Sequence, residues 1–319
     1  MTMPNFFIIG AQKAGTTSLY HYLNQHPKVY MSPVKEPFFF DHEISPDGEV
    51  IETEFGDPGD HYASAFSNIE DYRALFRGAK NELAIGEASP LYIYVPGTAE
   101  RIKGYVPEAK VIALLRNPAD RAYSSFLHAR RIGVEPLADF AQALKEEEGR
   151  IRNNWHYVFH YLNRGLYHAQ LKPYYELFGQ ESVGVWLYED LKEDPIGTTQ
   201  SILRFLSVDG SFVPDVSRKH NPAGIPGSYT ARTALRGVQT VAKTLKKIVP
   251  PASRTYPLAS KMRQHVQGQI VSKPPQMNPE IRSELLEGYR RDILKLQELT
   301  GLDPSVWLKE EDKDRRPLI

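Results

Sequence analysis

Three stretches of the chain are apolar without interruption: Phe6-Phe7-Ile8-Ile9, Val111–Leu115 and Val183–Leu187. Runs of this length mark strands buried on both faces, as in a parallel sheet. Amphipathic segments follow them at about 16–25, 119–131 and 196–206. Shorter extended pieces are expected at Val29-Tyr30-Met31 and Leu83–Gly86, and further helices at 61–76, 96–104, 137–145, 167–178 and 280–300. Punctuation supports these assignments. Pro27 ends the first helix, because the residue before proline avoids the helical region. Pro118 and Asp120 suit a first helical turn, and Gly301 is a C-terminal stop. The alternation predicts an α/β fold of three layers, α/β/α, around a central, mainly parallel sheet. The acidic, turn-rich segment 42–60 is expected to be a surface excursion.

Past Asn221 the texture changes. Residues 229–275 carry Arg232, Arg236, Lys243, Lys246, Lys247, Arg254, Lys261, Arg263 and Lys273 with no acid among them. This divides the chain into a core at 1–225 and a helical C-terminal extension at 226–319 that packs on it, one domain overall. The basic stretch reads as a peripheral contact for an anionic acceptor, a carrier-linked substrate or a lipid surface, or as a solvated helical cap.

Charge is otherwise balanced, with 39 lysines and arginines against 39 acids, so no whole-chain field points to nucleic acid. The absence of cysteine excludes disulfides, a thiolate nucleophile and cysteine-ligated zinc. No transmembrane run is present in the sequence, and the N-terminal residues read as a strand rather than a signal peptide, so a cytoplasmic protein is expected.

The chemistry concentrates between the first strand and helix, in Gly10-Ala-Gln-Lys13-Ala14-Gly15-Thr16-Thr17-Ser18. Backbone N–H groups of residues 14–18 at a helix start form an anion site. The spacing is that of a phosphate loop, G-x-x-x-x-G-K-[ST], but Thr16 stands where the lysine belongs and Lys13 lies inside the loop. A triphosphate loop places its lysine on the β and γ phosphates and its hydroxyl on magnesium. The shifted lysine suits a shorter anion and a single leaving oxygen, and no metal is called for. The fold is therefore expected to be P-loop NTPase-like. An ordinary tight turn and a small-molecule kinase are the competing readings.

Arg116 directly follows the strand at 111–115, and Ser124 comes eight residues later. On a helix starting near Pro118 the two can share one anion at the sheet edge where ligands gather. Arg116 paired with Asp120 is the bland alternative. Two anion sites on one crevice suggest a nucleotide phosphorylated at two places.

These segments resemble the sulfotransferases that use 3′-phosphoadenosine-5′-phosphosulfate (PAPS). GAQKAGTTS is similar to their 5′-phosphosulfate loop, and Arg116 with Ser124 to their 3′-phosphate site. KEPFFFD, at Lys35–Asp41, is similar to a segment of the heparan-sulfate enzymes and their bacterial relatives. GEASPLY, RGLYHAQL, LYEDLKEDP and RKHNPAG follow in the family's order. The resemblance implies sulfuryl transfer from PAPS to a hydroxyl or amine of a sugar, lipid or other small metabolite, releasing adenosine 3′,5′-bisphosphate. It implies Lys13 at the leaving oxygen and Glu36 as general base, with Asp41 as a supporting acid. Glu87 is a second candidate, and a Glu36–Lys35 surface pair is the competing reading. By the same analogy Tyr167, Arg218, Lys219 and Asn221 lie at the cofactor, against a buried tyrosine and a solvated loop. A catalytically silent nucleotide-binding protein is the remaining alternative. The animal heparan enzymes carry lysine, histidine and arginine where this chain has Ala88, Phe38 and Thr17, which implies fewer cations along the cleft.

Overall fold

The computed structural model describes residues 2–44, 50–51, 66, 68–218, 225–226, 271–272 and 275–308. Five strands form the central sheet: β1 (Phe6–Gly10), β2 (Val29–Met31), β5 (Ala84–Ala88), β6 (Lys110–Leu115) and β7 (Val183–Leu187). Their order is β2-β5-β1-β6-β7 and every pairing is parallel. Two short antiparallel pairs lie outside it, β3 (Glu43–Ile44) with β4 (Val50–Ile51) and β8 (Ile225–Pro226) with β9 (Val271–Ser272).

The unbroken apolar runs are explained by the two faces of the sheet. Phe7 and Ile9 of β1 join Val111, Ala113 and Leu115 of β6 in one buried cluster. Phe6, Ile8, Ile112 and Leu114 point into another on the opposite face. The first cluster is closed by α2 (Ile69–Ala74), α3 (Thr98–Tyr105), α6 (Tyr167–Phe178) and α9 (Pro279–Thr300). The second is closed by α1 (Thr16–Leu23) and α8 (Pro195–Phe205), with Leu191 of α7 (Tyr188–Glu193). A third cluster lies between α4 (Pro118–Ile132) and α5 (Phe140–Arg152). The three-layer arrangement is as the sequence predicts.

Asn117 starts α4 by accepting the N–H groups of Ala119 and Asp120 at 3.0 and 3.2 Å, and Pro118 occupies the first turn. From β1 the chain turns outward to β2 and β5 on one side of the sheet, and after β5 it passes to β6 and β7 on the other, so the loops leaving the neighbouring strands β1 and β6 diverge and open a crevice at their C-terminal ends. Among the described residues no helix is long and apolar enough to cross a membrane.

Candidate active site

The loop leaving β1 enters α1 through Gly15, whose φ of 90° lies in the left-handed region. A Cβ at that position would stand 2.8 Å from Cδ2 of Tyr188. Glycine is thus required both by the backbone and by the ring packed on it. No side chain caps α1 and no acid sits in its first turn, so the positive end of the helix faces the crevice. Thr16 is buried, Thr17 and Ser18 partly so, and Ala14 is packed in the core beneath the loop.

Lys13 also has a left-handed backbone, with φ 74°, a conformation that costs free energy and concentrates at functional sites. Its side chain is sunk among cations. Burial above all, then Arg131, lower its pKa to about 7; Glu36 opposes this, while Arg116 and Lys35 add to it.

Arg116 lies across the loop. Its Nη1 donates to the Lys13 carbonyl at 3.2 Å, and its guanidinium stands 5.0 Å from the centroid of the Tyr188 ring. The pairing with Asp120 does not form, because Asp120 accepts Arg282 Nε at 3.1 Å. Ser124 lies on α4, partly exposed. Its neighbour Ser125 is buried and accepts Arg121 Nη1 at 3.1 Å. The structure therefore brings Lys13 and Arg116 into direct contact. Tyr167 stands behind them, its hydroxyl on the Arg116 carbonyl at 2.8 Å.

The segment Lys35–Asp41 runs past the end of β5, where the Glu36 N–H donates to the Ala88 carbonyl at 3.0 Å. Glu36 and Phe38 both have positive φ, 60° and 51°. The following rings anchor this irregular turn. Phe39 stacks on Tyr72 at 4.5 Å, and the N–H groups of Phe39 and Phe40 donate to the Tyr92 hydroxyl at 3.2 and 3.1 Å.

Three carboxyl groups gather here in different surroundings. Glu36 is about one-third exposed, at 31 %, and forms an ion pair with Lys35. Asp41 is nearly buried; burial, helped by Glu87 and Glu36, pushes its pKa up to about 8 against the backbone hydrogen bond and Arg101. Its Oδ1 accepts no hydrogen bond among the described residues, and His42 Nε2 stands 3.6 Å away. Glu87 is fully buried, accepting Tyr72 Oη at 3.1 Å and Ser89 Oγ at 2.7 Å. Burial raises its pKa to about 7 even against those hydroxyl donors.

Several residues at the site were not singled out from sequence. Arg131 sits at the far end of α4, and Arg164 is buried with Nη2 on Gln12 Oε1 at 2.8 Å, bracing the phosphate loop. Tyr188 links the loop to Arg116. Arg164 and Tyr188 lie within the RGLY and LYEDL segments, so their motifs were visible even though their contacts were not. Arg218 is exposed; Lys219, Asn221 and most of 229–275 lie outside the described residues.

Residues 3–220 match the sulfotransferase domain family. The chain belongs to the sulfotransferase family. It is 33 % identical to a sulfotransferase from Alicyclobacillus acidocaldarius, with a TM-score of 0.72 over 97 % of this chain and 100 % of that one. The membrane-associated sulfotransferase kil1 of Dictyostelium discoideum is 35 % identical over 126 residues, 40 % of this chain and 23 % of that protein. The human bifunctional heparan sulfate N-deacetylase/N-sulfotransferase 2 is 28 % identical over 211 residues, 65 % of this chain and 22 % of that protein. The chain thus spans less than a quarter of either curated relative.

Proposed function

We propose that the protein transfers a sulfuryl group from PAPS to a hydroxyl or amine of an acceptor, releasing adenosine 3′,5′-bisphosphate. The observation that carries this is the Arg116 guanidinium donating to the Lys13 backbone carbonyl, which sets the loop leaving β6 against the loop leaving β1 at the crevice. Lys13 with the N-terminus of α1 suits the 5′-phosphosulfate, and Arg116 with Ser124 suits the 3′-phosphate. The donor set fits such an anion: burial first, and then neighbouring cations, depress the pKa of Lys13, and a phosphosulfate supplies the missing negative charge.

The acceptor oxygen or nitrogen attacks sulfur in line, the bond from sulfur to the bridging oxygen breaks, and the 5′-phosphate leaves. Lys13 compensates the charge that grows on that oxygen. Glu36, the most accessible of the three carboxyls, takes the acceptor's proton, and Lys35 holds its carboxylate in place. Asp41 supports it from the buried side. Glu87, enclosed by hydroxyl donors, serves the packing of the segment rather than proton transfer. The carbohydrate substrate named for the human relative favours a sugar among acceptor classes.

Transfer of labelled sulfate from PAPS across sugar, lipid and small-metabolite acceptors tests the proposal. Lys13→Ala should lower turnover by about 10²- to 10³-fold with the circular dichroism unchanged. Turnover near that of the wild type would remove Lys13 from the chemistry. Nucleotide binding without transfer to any acceptor would favour the silent binding protein, and magnesium-dependent ATP turnover the kinase.

A further inference from the structure

We propose that the 3-10 turn at Pro304–Leu308 positions Arg116, and through it sets the preference of the site for a nucleotide bearing a 3′-phosphate. This rests on the phosphoadenosine reading of the crevice.

The peptide joining Arg116 to Asn117 is held from several directions by parts of the chain remote in sequence. The Arg116 carbonyl accepts the Tyr167 hydroxyl at 2.8 Å. The Asn117 N–H donates to Glu189 Oε1 of α7 at 3.1 Å. The Asn117 Oδ1 caps α4, while its Nδ2 donates to the Trp307 carbonyl at 3.4 Å. Trp307 closes the arrangement. It is 2 % exposed, and its ring lies 6.0 Å from that of Tyr167, which is itself fully buried. The turn therefore grips Asn117 by its backbone and backs Tyr167 with its indole.

A loop at a sheet edge is mobile unless it is tied down, and a guanidinium that reads a phosphate must be placed within a fraction of an ångström. Trp307 touches Tyr167 and Asn117, acts through them and is a positioning residue. Its indole N–H is buried and has no hydrogen-bond partner among the described residues, so the ring's shape, and not its polar atom, makes the contact with Tyr167. Phenylalanine can stand in for it.

The test compares binding of adenosine 3′,5′-bisphosphate and adenosine 5′-monophosphate by titration calorimetry. Tyr167→Phe removes one hydroxyl and keeps the packing; it should weaken the bisphosphate about fivefold to tenfold and leave the monophosphate unchanged. Trp307→Ala should weaken the bisphosphate by more than about tenfold, again selectively, and Trp307→Phe should restore most of the loss. Parallel losses for both nucleotides, or an unchanged ratio in Tyr167→Phe, overturn the inference while leaving the nucleotide reading intact. Should Trp307→Ala fail to fold, Trp307→Leu, which keeps an apolar side chain but not the ring on Tyr167, takes its place with the same selective loss expected. A wild-type protein that binds both nucleotides equally overturns the nucleotide reading and this inference together.

Discussion

Lys13 shows how a side chain can be spacing on the page and electrostatics in the fold. The glycines flanking it and its place inside the loop are legible in sequence, and they separate this loop from a triphosphate loop. Its depressed pKa is not, because the largest charge acting on it comes from Arg131, which the fold brings over from the end of α4. The Lys35–Glu36 contact lies between adjacent residues and was open as an alternative; the positive φ of Glu36 that shapes it was not. A consequence follows for proton uptake. With a pKa of about 7 in the free protein, Lys13 is largely neutral at pH 8, and an anion bound beside it raises that value. Binding of adenosine 3′,5′-bisphosphate at pH 8 should then take up close to one proton. Calorimetry in buffers of different ionisation enthalpy measures this, and Lys13→Met should abolish it. Stability moves in the matching direction. The unfolded chain, with a lysine at 10.5, binds the proton more readily between pH 7 and 10.5, so this lysine's cost to the fold is full below 7 and fades as pH rises through that window.

At the level of elements, the buried strands are the best-read features, since a strand covered on both faces leaves no ambiguity of period. Helix boundaries were read less well. α5 starts at Phe140, because Asp139 accepts the Gln142 N–H at 2.8 Å, and it continues to Arg152 through an acidic run, Glu146–Glu148, whose middle member Glu147 is buried against the pattern its charge suggests. α7 follows β7 with no linker, so nothing in the sequence separates strand from helix there. That abrupt junction has a purpose, because it places Tyr188 between Gly15 and Arg116. Gly15→Ala should expose the dependence. It meets a strained φ, costing about 1–3 kcal/mol, and pushes the new methyl into the Tyr188 ring. The melting temperature should fall by several degrees, and affinity for the 5′-monophosphate and the bisphosphate should fall together by about tenfold or more. An unchanged melting temperature with unchanged affinity would show that the ring yields and that the fit is loose.

For the molecule as a whole, the layering and the parallel sheet were legible from alternation, but the strand order was not. Placing β5 between β2 and β1 depends on pairings between distant segments, which leave no mark on local pattern. The interior also carries acids that composition could not locate. Glu87 has a folded pKa of about 7 against an ordinary 4.5, so it supports the fold fully below pH 4.5 and loses that contribution as pH rises through 7. Asp41, at about 8, acts in the same direction. Urea denaturation at pH 5 and pH 8 should show the wild type less stable at the higher pH, with the difference reduced by on the order of 2–3 kcal/mol in Glu87→Gln. A Glu87→Gln protein with the wild-type pH slope would place the titration elsewhere. The hydrogen bond from Asn117 to Trp307 has a consequence in time as well as in space. Residues 6–187 contain every strand of the central sheet, and chains fold from the N-terminal side as they are made. A nascent chain can thus close its sheet and shape the loop at Lys13 while Trp307 is still unsynthesised. Full nucleotide selectivity then arrives only with the turn at Pro304–Leu308, and products truncated before it, with a sound sheet, would compete poorly for the donor.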